Sequence, residues 1–375
     1  MKSYDWIVVG GGITGAALSY ELAKKGFSVL MLERDAAAKN ATRFSYGGLA
    51  YWSGTSDFTR QLCQEGIERY RNLSAELDAD TQFRELDLLL TIDAGEDVQQ
   101  VAANYAHFAV TPQLLSPKEA GDLEPLLDRS AIAGALTFRH GHISPTATNQ
   151  AYCQGFLRLG GTIEIAEVTG LVESGNRIAG VQAATGNYSC ENVAICAGGW
   201  SRSLLKAAGI SARIYLTRAE ILETKPVHIQ LRTLVMPAAL KRFELEAASS
   251  KIEVDSLWDK PGKELMPPIL DAGAIQFIDG SLRIGQLSRT LSDVNAKVDA
   301  AASAAAIRAG IGKVLPAVAN LPATWHDCIV AFSADGLSVV GEIPDRPGVH
   351  VFSGFSNPLT IVPAMAARFA NAAAK

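Results

Sequence analysis

The first apolar block of the chain predicts a buried strand over residues 5–9. A glycine-rich turn, residues 10–15, follows at once, and the apolar spacing after it is helical as far as about Lys25. A second apolar block predicts another strand over residues 28–32. A strand, a turn, a helix and a further strand in this order are typical of a parallel βαβ unit.

Later segments show the same two patterns, the helical spacing of apolar residues and the apolar runs that predict strands. Apolar residues between positions 58 and 77 keep mostly helical spacing, and the alanine-rich run 299–309 predicts a helix because alanine has the highest helix propensity. Apolar runs predict strands over residues 193–196, 210–223 and 274–286. The chain is therefore expected to be an α/β protein.

Composition narrows the class of protein. The 375 residues are 48% hydrophobic and 19% charged, which suits a globular enzyme of about two domains. Lys plus Arg number 34 against 39 for Asp plus Glu, so no basic field is available to attract nucleic acid. No uninterrupted apolar stretch reaches the roughly 18 residues that span a bilayer. We therefore expect no integral membrane segment and a cytoplasmic location.

The cysteines and histidines do not form a metal-binding pattern. The five cysteines are Cys63, Cys153, Cys190, Cys196 and Cys328. They are scattered without CxxC spacing, which favours free thiols in a reducing compartment. His140 and His142 flank Gly141, but two ligands without a nearby third make a poor metal site. We expect no bound metal, and we interpret these histidines as part of a loop between a strand and a helix.

The turn after the first strand has the spacing GxGxxG. Gly10 permits the tight turn, Gly12 lets the backbone approach a pyrophosphate, and Gly15 lets the helix pack closely on the sheet. Glu33 ends the second strand 18 residues beyond Gly15, where a carboxylate can accept hydrogen bonds from ribose hydroxyls. This Rossmann-type pattern predicts a dinucleotide site but does not separate FAD from NAD; the alternative is a purely structural turn.

Further segments of the chain, beyond this turn, match the sequence of a known family. They are the loop from Thr42 to Gly48, residues 141–161, the strand that ends at Ala197 and Gly198, and the pair of segments 333–336 and 351–356. With these segments in this order, the chain resembles the D-amino acid oxidase superfamily, notably its glycine oxidase and monomeric sarcosine oxidase branches.

The resemblance implies a Rossmann-type FAD-binding domain and a second, α+β substrate domain built on a mainly antiparallel sheet. The FAD-binding domain would comprise residues 1–77, 140–209 and 325–375. The substrate domain would comprise residues 78–139 and 210–324. The cofactor contacts implied in this way are Gly10, Gly12, Ile13, Thr14, Gly15, Glu33, Arg34, Arg43, Ser45, Gly47, Gly48, Val168, Ala197, Gly198, Trp200, Cys328, Gly354, Asn357, Pro358, Leu359 and Thr360.

Three residues are candidates for catalysis. Arg283 matches the position of a sarcosine oxidase lysine that faces the flavin and activates oxygen, and a guanidinium there would stabilise negative charge. Arg43 matches an arginine that approaches the flavin, and Tyr51, beside Trp52, could line a substrate pocket. The alternatives are a solvated strand arginine, a surface loop charge and an aromatic core residue, respectively.

Cys328 matches the sarcosine oxidase cysteine that binds the flavin covalently, because the spacing from Cys328 to Gly354 agrees without a gap. The resemblance thus implies an 8α-cysteinyl FAD. The alternative is that Cys328 is a small buried apolar residue.

Three positions depart from the family pattern. Val330 stands where glycine oxidases place the arginine that grips the substrate carboxylate, and Thr360 stands where sarcosine oxidase uses a lysine. Pro358 replaces a glycine near the flavin and has no N–H to donate. Another residue, such as Arg43 or Arg283, would have to bind a substrate carboxylate.

The resemblance implies an oxidase of a small amine or amino acid that transfers hydride to FAD and is reoxidised by O2, giving H2O2. One alternative is a dehydrogenase that passes electrons to a quinone or protein acceptor. An alternative of another class is an FAD-binding subunit or regulatory protein that is active only in a complex.

Overall fold

A computed structural model describes residues 3–37, 39–175, 177–239, 241–334 and 336–375. Its strands are β1 (Ser3–Val9), β2 (Val29–Glu33), β3 (Gly48–Leu49), β4 (Arg84–Asp93), β5 (Gln113–Leu115), β6 (Ile132–His142), β7 (Thr162–Ile165), β8 (Val168–Ser174), β9 (Arg177–Ala183), β10 (Gly186–Ile195), β11 (Ile214–Thr224), β12 (Leu234–Pro237), β13 (Glu264–Gln276), β14 (Leu282–Leu291), β15 (Ala323–Ser333), β16 (Val339–Glu342) and β17 (Val349–Ser353). Its α-helices are α1 (Ile13–Lys24), α2 (Ala41–Phe44), α3 (Asp57–Glu76), α4 (Val98–Ala103), α5 (Pro117–Leu123), α6 (Pro145–Arg158), α7 (Ser201–Ala207), α8 (Lys241–Ser249), α9 (Ile252–Asp255), α10 (Ala300–Val314), α11 (Pro316–Ala319) and α12 (Pro358–Ala373).

The first apolar block forms the centre of an eight-stranded sheet. β1 lies between β2 and β10, and all three strands run parallel. β7 and β17 extend this parallel set on its two sides, whereas β16, β9 and β8 join it in antiparallel pairs. Helix α1 connects β1 to β2, so the βαβ unit that the pattern predicts is present. Helices α1, α3, α6 and α12 pack together against one face of this sheet.

The second sheet has nine strands in the order β15-β11-β14-β13-β12-β4-β6-β3, with β5 beside β6. Its pairs are antiparallel except for the parallel pair β12 and β4. Helix α10 covers strands β11, β13 and β14. The expected combination of a Rossmann-type unit with a mainly antiparallel second sheet is therefore confirmed.

Two of the expected elements differ from the structure. The strand predicted over residues 274–286 is two strands, because a turn with Gly280 at φ 86° separates Gln276 from Leu282. The loop predicted at His140 and His142 is the end of β6, which pairs with β3 and β4. Both ring nitrogens of His142 have partners, Arg84 Nε and the Tyr46 carbonyl, and His140 accepts a hydrogen bond from Trp52, so distant segments help both residues to fit a buried strand.

The division into two domains stays a prediction. Its boundary at residue 325 falls within β15, which pairs with β11 of the second sheet along its whole length. Asp335, part of one segment that carries the resemblance, lies outside the described residues. Among the helices that the structure describes, none has both the length and the apolar composition needed to cross a membrane.

Candidate active site

A continuous cavity of about 1640 Å³ begins at the carboxyl ends of β1, β2, β10 and β17 and extends to the second sheet. In open α/β sheets, ligands bind outside the carboxyl ends of the strands because connections there diverge and leave a crevice. We call the part beside the first sheet the nucleotide end. The part lined by Tyr46, Trp52, Tyr105, Arg242 and Asp271 is the chamber.

The turn after β1 can pack this closely against β10 and the start of α1 only because it lacks side chains. Gly10 has φ 106°, and a Cβ there would lie 2.5 Å from the carbonyl oxygen of Cys196 at the end of β10. A Cβ on Gly15 would overlap the carbonyl oxygen of Gly10. The glycines therefore allow α1 to begin directly against the sheet, with its first turn facing the cavity.

The N-terminus of α1 presents a favourable place for negative charge. Gly12 is the N-cap and supplies no side chain, and the first turn contains no acidic residue. The Ile13 N–H donates to Thr42 Oγ1 (3.0 Å), so the loop around α2 is tied to the helix start. The helix dipole and the N–H groups of this turn fit the pyrophosphate of a dinucleotide.

Glu33 lines the cavity beside the turn after β1. Its Oε2 accepts the Gly11 N–H (2.6 Å) and its Oε1 accepts the Asp35 N–H (3.0 Å). Arg34 lies over the ring of Trp200 at 3.8 Å from the ring centroid, a cation–π contact between the ends of β2 and β10. The carboxylate at this position disfavours a 2′-phosphate on the ligand.

The loop after β17 reaches the cavity before the last helix begins. Gly354 has φ 75°, and Asn357 Nδ2 donates to the Ala50 carbonyl and to Ser53 Oγ, both at 3.2 Å. Pro358 is the first residue of α12. The absence of its N–H therefore costs no intrahelical hydrogen bond, because the first helical N–H groups have no partner within the helix.

Arg43 and Arg283 meet at one carboxylate. Arg43 Nη1 and Nη2 donate to Glu223 at 2.7 and 2.8 Å, and Arg283 Nε donates to the same group at 3.2 Å. Arg283 also donates to the Ser45 carbonyl and lies over the ring of Phe277. Burial acts to raise the pKa of Glu223, but the two guanidinium groups bring it below its ordinary value. This network attaches the loop near β3 to the second sheet.

Trp52 and His140 form a wall of the chamber. Trp52 stacks on Phe138 with ring centroids 4.1 Å apart, and its Nε1 donates to His140 Nδ1 at 3.1 Å. Burial lowers the pKa of His140 to about 3, so the ring is neutral near pH 7. Because Nδ1 accepts, the ring hydrogen lies on Nε2, which has no hydrogen-bond partner in the described residues.

The family model for FAD dependent oxidoreductases, abbreviated DAO, matches residues 5–372 of this chain. The chain belongs to this family of FAD-dependent oxidoreductases. An uncharacterized oxidoreductase of Bacillus subtilis strain 168, YurR, is 25% identical over 391 residues, covering 99% of this chain and 94% of that protein. The glycine oxidase of Bacillus licheniformis is 27% identical over 230 residues. That match covers 59% of this chain and 61% of the relative's own length.

The fold of this flavoenzyme is also found in a solved structure. The glycine oxidase from Bacillus cereus ATCC 14579 has a TM-score of 0.80 at 19% identity. The match covers 98% of this chain and 96% of that one. The α/β architecture expected from the sequence and the likeness to glycine oxidases are thereby confirmed, and FAD is the cofactor of the family.

The residues at the nucleotide end suit FAD. The turn at Gly10 and the start of α1 provide N–H groups and positive dipole, and Glu33 provides a ribose acceptor in the same wall. The cavity lining contains these sequence-predicted residues: Gly10, Gly12, Ile13, Thr14, Glu33, Arg34, Arg43, Ser45, Gly48, Val168, Ala197, Gly198, Trp200, Cys328, Gly354, Asn357, Pro358 and Leu359.

Other sequence-predicted residues lie behind this lining. Gly15 and Gly47 pack against backbone, and Thr360 is fully buried in α12. Arg283 lies in the network with Glu223, outside the lining. Tyr51 also lies outside the lining, whereas the next residue, Trp52, belongs to it. The roles assigned to these residues stay predictions.

Cys328 lies on β15 and lines the cavity, although it is only 5% exposed. It pairs in register with Ala219 of β11, another residue of the lining. Burial raises the pKa of its thiol to about 12. A thiol in this environment is protonated near pH 7, so covalent attachment would require a base or a bound electrophile to promote ionisation.

Sequence patterns did not reveal the charged residues of the chamber. Asp271 and Arg242 both line it, from β13 and from α8. A signal for Asp271 was present, because it is the single charged residue in the stretch 265–278. An isolated charge in an apolar strand is informative since burial of a carboxylate is costly. Arg242, in a helix with several charges, carried no such signal.

Proposed function

We propose that this flavoenzyme oxidises a C–N bond of a small amine or amino acid by hydride transfer to FAD, with reoxidation by O2 to give H2O2. The observation that carries this proposal is the continuity between the nucleotide end and a chamber that combines aromatic walls with Arg242 and Asp271. Bound FAD supplies the hydride acceptor and the reaction with oxygen. The likeness to glycine oxidases supports a small amine as the donor.

The residues of this chain would bind and orient the reactants. The turn at Gly10 and Gly12, with Glu33, would hold the adenosine diphosphate part of the cofactor. The chamber walls at Trp52 and Tyr105 would exclude water and restrict the orientation of the substrate. Arg43 would contribute positive charge near the flavin from its pair with Glu223.

Anaerobic reduction of the flavin tests the proposed donor. Protein loaded with FAD is mixed without oxygen with a panel of small primary and secondary amines and amino acids, and with a panel of hydroxy acids. We expect bleaching of the flavin absorbance with at least one amine, followed on aeration by formation of H2O2. Bleaching by a hydroxy acid alone would contradict the proposed C–N oxidation. Failure of both panels would favour a subunit that is active only in a complex.

The rate of reoxidation separates an oxidase from a dehydrogenase. After anaerobic reduction, an oxidase should regain its flavin absorbance within seconds of aeration. A flavin that air barely reoxidises, but that a quinone reoxidises quickly, would instead identify a dehydrogenase with a quinone or protein acceptor. The measurement is a stopped-flow absorbance trace with each acceptor in turn.

We also propose that Cys328 would hold the flavin through a thioether between Sγ and the 8α carbon. The bond would replace the thiol S–H and one 8α C–H; the two electrons would pass to the flavin ring, which O2 would then reoxidise. Its burial in the cavity wall on β15 supports this assignment. Acid precipitation of the purified protein should leave the yellow cofactor with the protein, and Cys328→Ser should release it. Cys153, which is half-buried and also lines the cavity, provides the matched control, since Cys153→Ser should retain the cofactor. Release of flavin from the unaltered protein would exclude the bond.

A further inference from the structure

The chamber contains a buried carboxylate that lacks a partner. Asp271 lies on β13, is 6% exposed and lines the cavity. Its Oδ1 has no hydrogen-bond partner in the described part of the chain. A buried polar group without a partner destabilises a folded protein, so such a group in a cavity wall is available to bind a ligand.

A tyrosine hydroxyl near this carboxylate also lacks a partner. The Tyr46 hydroxyl is buried, and it neither donates nor accepts a hydrogen bond among the described residues. Burial raises the pKa of Tyr46 well above its ordinary value, and the charge of Asp271 raises it further. The nearby Tyr105 hydroxyl, in contrast, donates to the Ala238 carbonyl at 2.7 Å. The chamber therefore offers one acidic and one neutral polar group to a ligand.

Arg242 supplies the opposite charge from helix α8. Its Nε donates to Glu246 Oε1 at 2.9 Å, and the same oxygen accepts from Thr217 at 2.8 Å. No hydrogen bond occupies its Nη groups within the described residues, and the side chain lines the cavity. Arg43 and Arg283 are both paired with Glu223. Arg242 is thus the arginine of the chamber whose planar edge remains available for a carboxylate.

We propose that Asp271 binds the cationic nitrogen of the substrate and that Arg242 binds its carboxylate. This inference rests on the proposed C–N oxidation and names the substrate class, a zwitterion that carries both charges close together. It also accounts for Val330 and Thr360, because a clamp on α8 makes a clamp at either position unnecessary. Removal of the negative charge should then weaken binding of cations and largely spare anions, and removal of the positive charge should do the reverse.

The charge on Asp271 changes with pH near pH 6. Burial raises its pKa to about 6, while Arg242 and Lys241 act in the opposite direction and Glu244 adds to the rise. Tyr46 and Tyr105 are the other titratable groups on which its charge acts, and both stay neutral near pH 7. The affinity for a cation should therefore increase as the pH rises through about 6.

Equilibrium binding to the FAD-loaded full chain tests the inference without turnover. The probes are tetramethylammonium, acetate and trimethylglycine, which represent the cation, the anion and the zwitterion. Binding is followed by the change in the visible absorbance of the flavin, in the unaltered protein and in Asp271→Asn and Arg242→Gln. We expect Asp271→Asn to weaken binding of tetramethylammonium about tenfold and to leave acetate within about twofold. Arg242→Gln should show the reverse, and both should weaken trimethylglycine.

Two further measurements keep the test independent of folding defects. Asp271→Glu restores the charge and should restore most of the affinity for tetramethylammonium. The pH dependence of that affinity should disappear in Asp271→Asn. Equal affinity of the unaltered protein and Asp271→Asn for tetramethylammonium, or equal losses for all three probes, would overturn the inference. Failure of the proposed oxidation would show itself separately, as an amine panel that does not bleach the flavin although Asp271-dependent binding is present.

Discussion

The nucleotide end and the chamber of one cavity are built from different parts of the chain. At the nucleotide end, backbone at Gly10 and Gly12 and the start of α1 form the wall that suits a pyrophosphate. In the chamber, side chains from separate elements converge, with Asp271 on β13, Arg242 on α8 and Trp52 after β3. The first surface is specified by the absence of side chains, the second by their chemistry.

Because of this difference, residues of the chamber should tolerate substitution more readily than residues of the nucleotide end. Backbone groups bind any ligand with a pyrophosphate in the same way, so the nucleotide end suits a shared cofactor. Side chains can be exchanged without rebuilding the fold, so the chamber can change its substrate while the cofactor stays. Val330 and Thr360, where the resemblance implies charged clamps, agree with this view.

The largest effect is expected at Gly15. Gly15→Val places a branched side chain against the Gly10 carbonyl and separates α1 from the sheet. We expect the free energy of unfolding to fall by about 3 kcal/mol or more, and FAD binding to be lost. Thermal unfolding and the flavin content of the purified protein measure both effects. Gly26→Ala, beyond the other end of α1 and with open space around its Cβ, should cost only about 1 kcal/mol and retain FAD.

In the chamber, by contrast, we expect a substitution of Asp271 to stabilise the protein. The folded state raises the pKa of Asp271 from 3.8 to about 6, so it binds this proton more tightly than the unfolded chain. The contribution to stability is therefore greatest below pH 4 and is lost as the pH rises through about 6. The difference corresponds to about 3 kcal/mol, which Asp271→Asn should recover at pH 8 in the absence of ligand. Chemical unfolding at pH 4 and pH 8 would contradict this if the variant gained nothing at the higher pH.

The ion pairs of Glu223 with Arg43 and Arg283 should contribute more to stability than a surface pair, because they are more buried. Glu223→Gln leaves Arg43 and Arg283 without their shared carboxylate, and the Arg283 side chain is only 6% exposed. We expect a loss of about 2 kcal/mol in the free energy of unfolding, because one buried guanidinium keeps its charge without an anionic partner. Glu173→Gln, which removes the surface partner of Arg346, is the matched control and should cost about 0.5 kcal/mol or less. Urea unfolding curves of the two variants compare them directly.

The smallest effect is expected at Glu33. Glu33→Gln keeps the shape of the side chain but removes the negative charge that accepts the Gly11 N–H at 2.6 Å. Affinity for FAD should fall about tenfold, because the charge-assisted hydrogen bonds become neutral ones. Asp35→Asn, two residues later, should change the affinity by less than about twofold. Fluorescence titration with FAD of the flavin-free variants, each also carrying Cys328→Ser, provides both values, and equal losses in the two variants would remove Glu33 from the site.

Sequence patterns predicted the elements whose cause is local. The βαβ unit, α3 and α10 agree with their periodicities, and Asp299 caps α10 by accepting the N–H groups of Ala301 and Ala302. The turn between β13 and β14 was missed because it is short and apolar residues flank it on both sides. The end of β6 was missed because the partner of His140 is Trp52, 88 residues away in the chain.

The amino-acid sequence by itself determined the nucleotide end. A positive φ at Gly10 and the absence of space for a Cβ at Gly15 are steric demands on single residues, so they are visible as glycines at a fixed spacing. Only the tertiary structure decided the chamber. Asp271 and Arg242 are ordinary charged residues in a strand and a helix, and they become a site because folding buries them along one cavity. Long-range packing, which leaves no local pattern, is the physical reason for that difference.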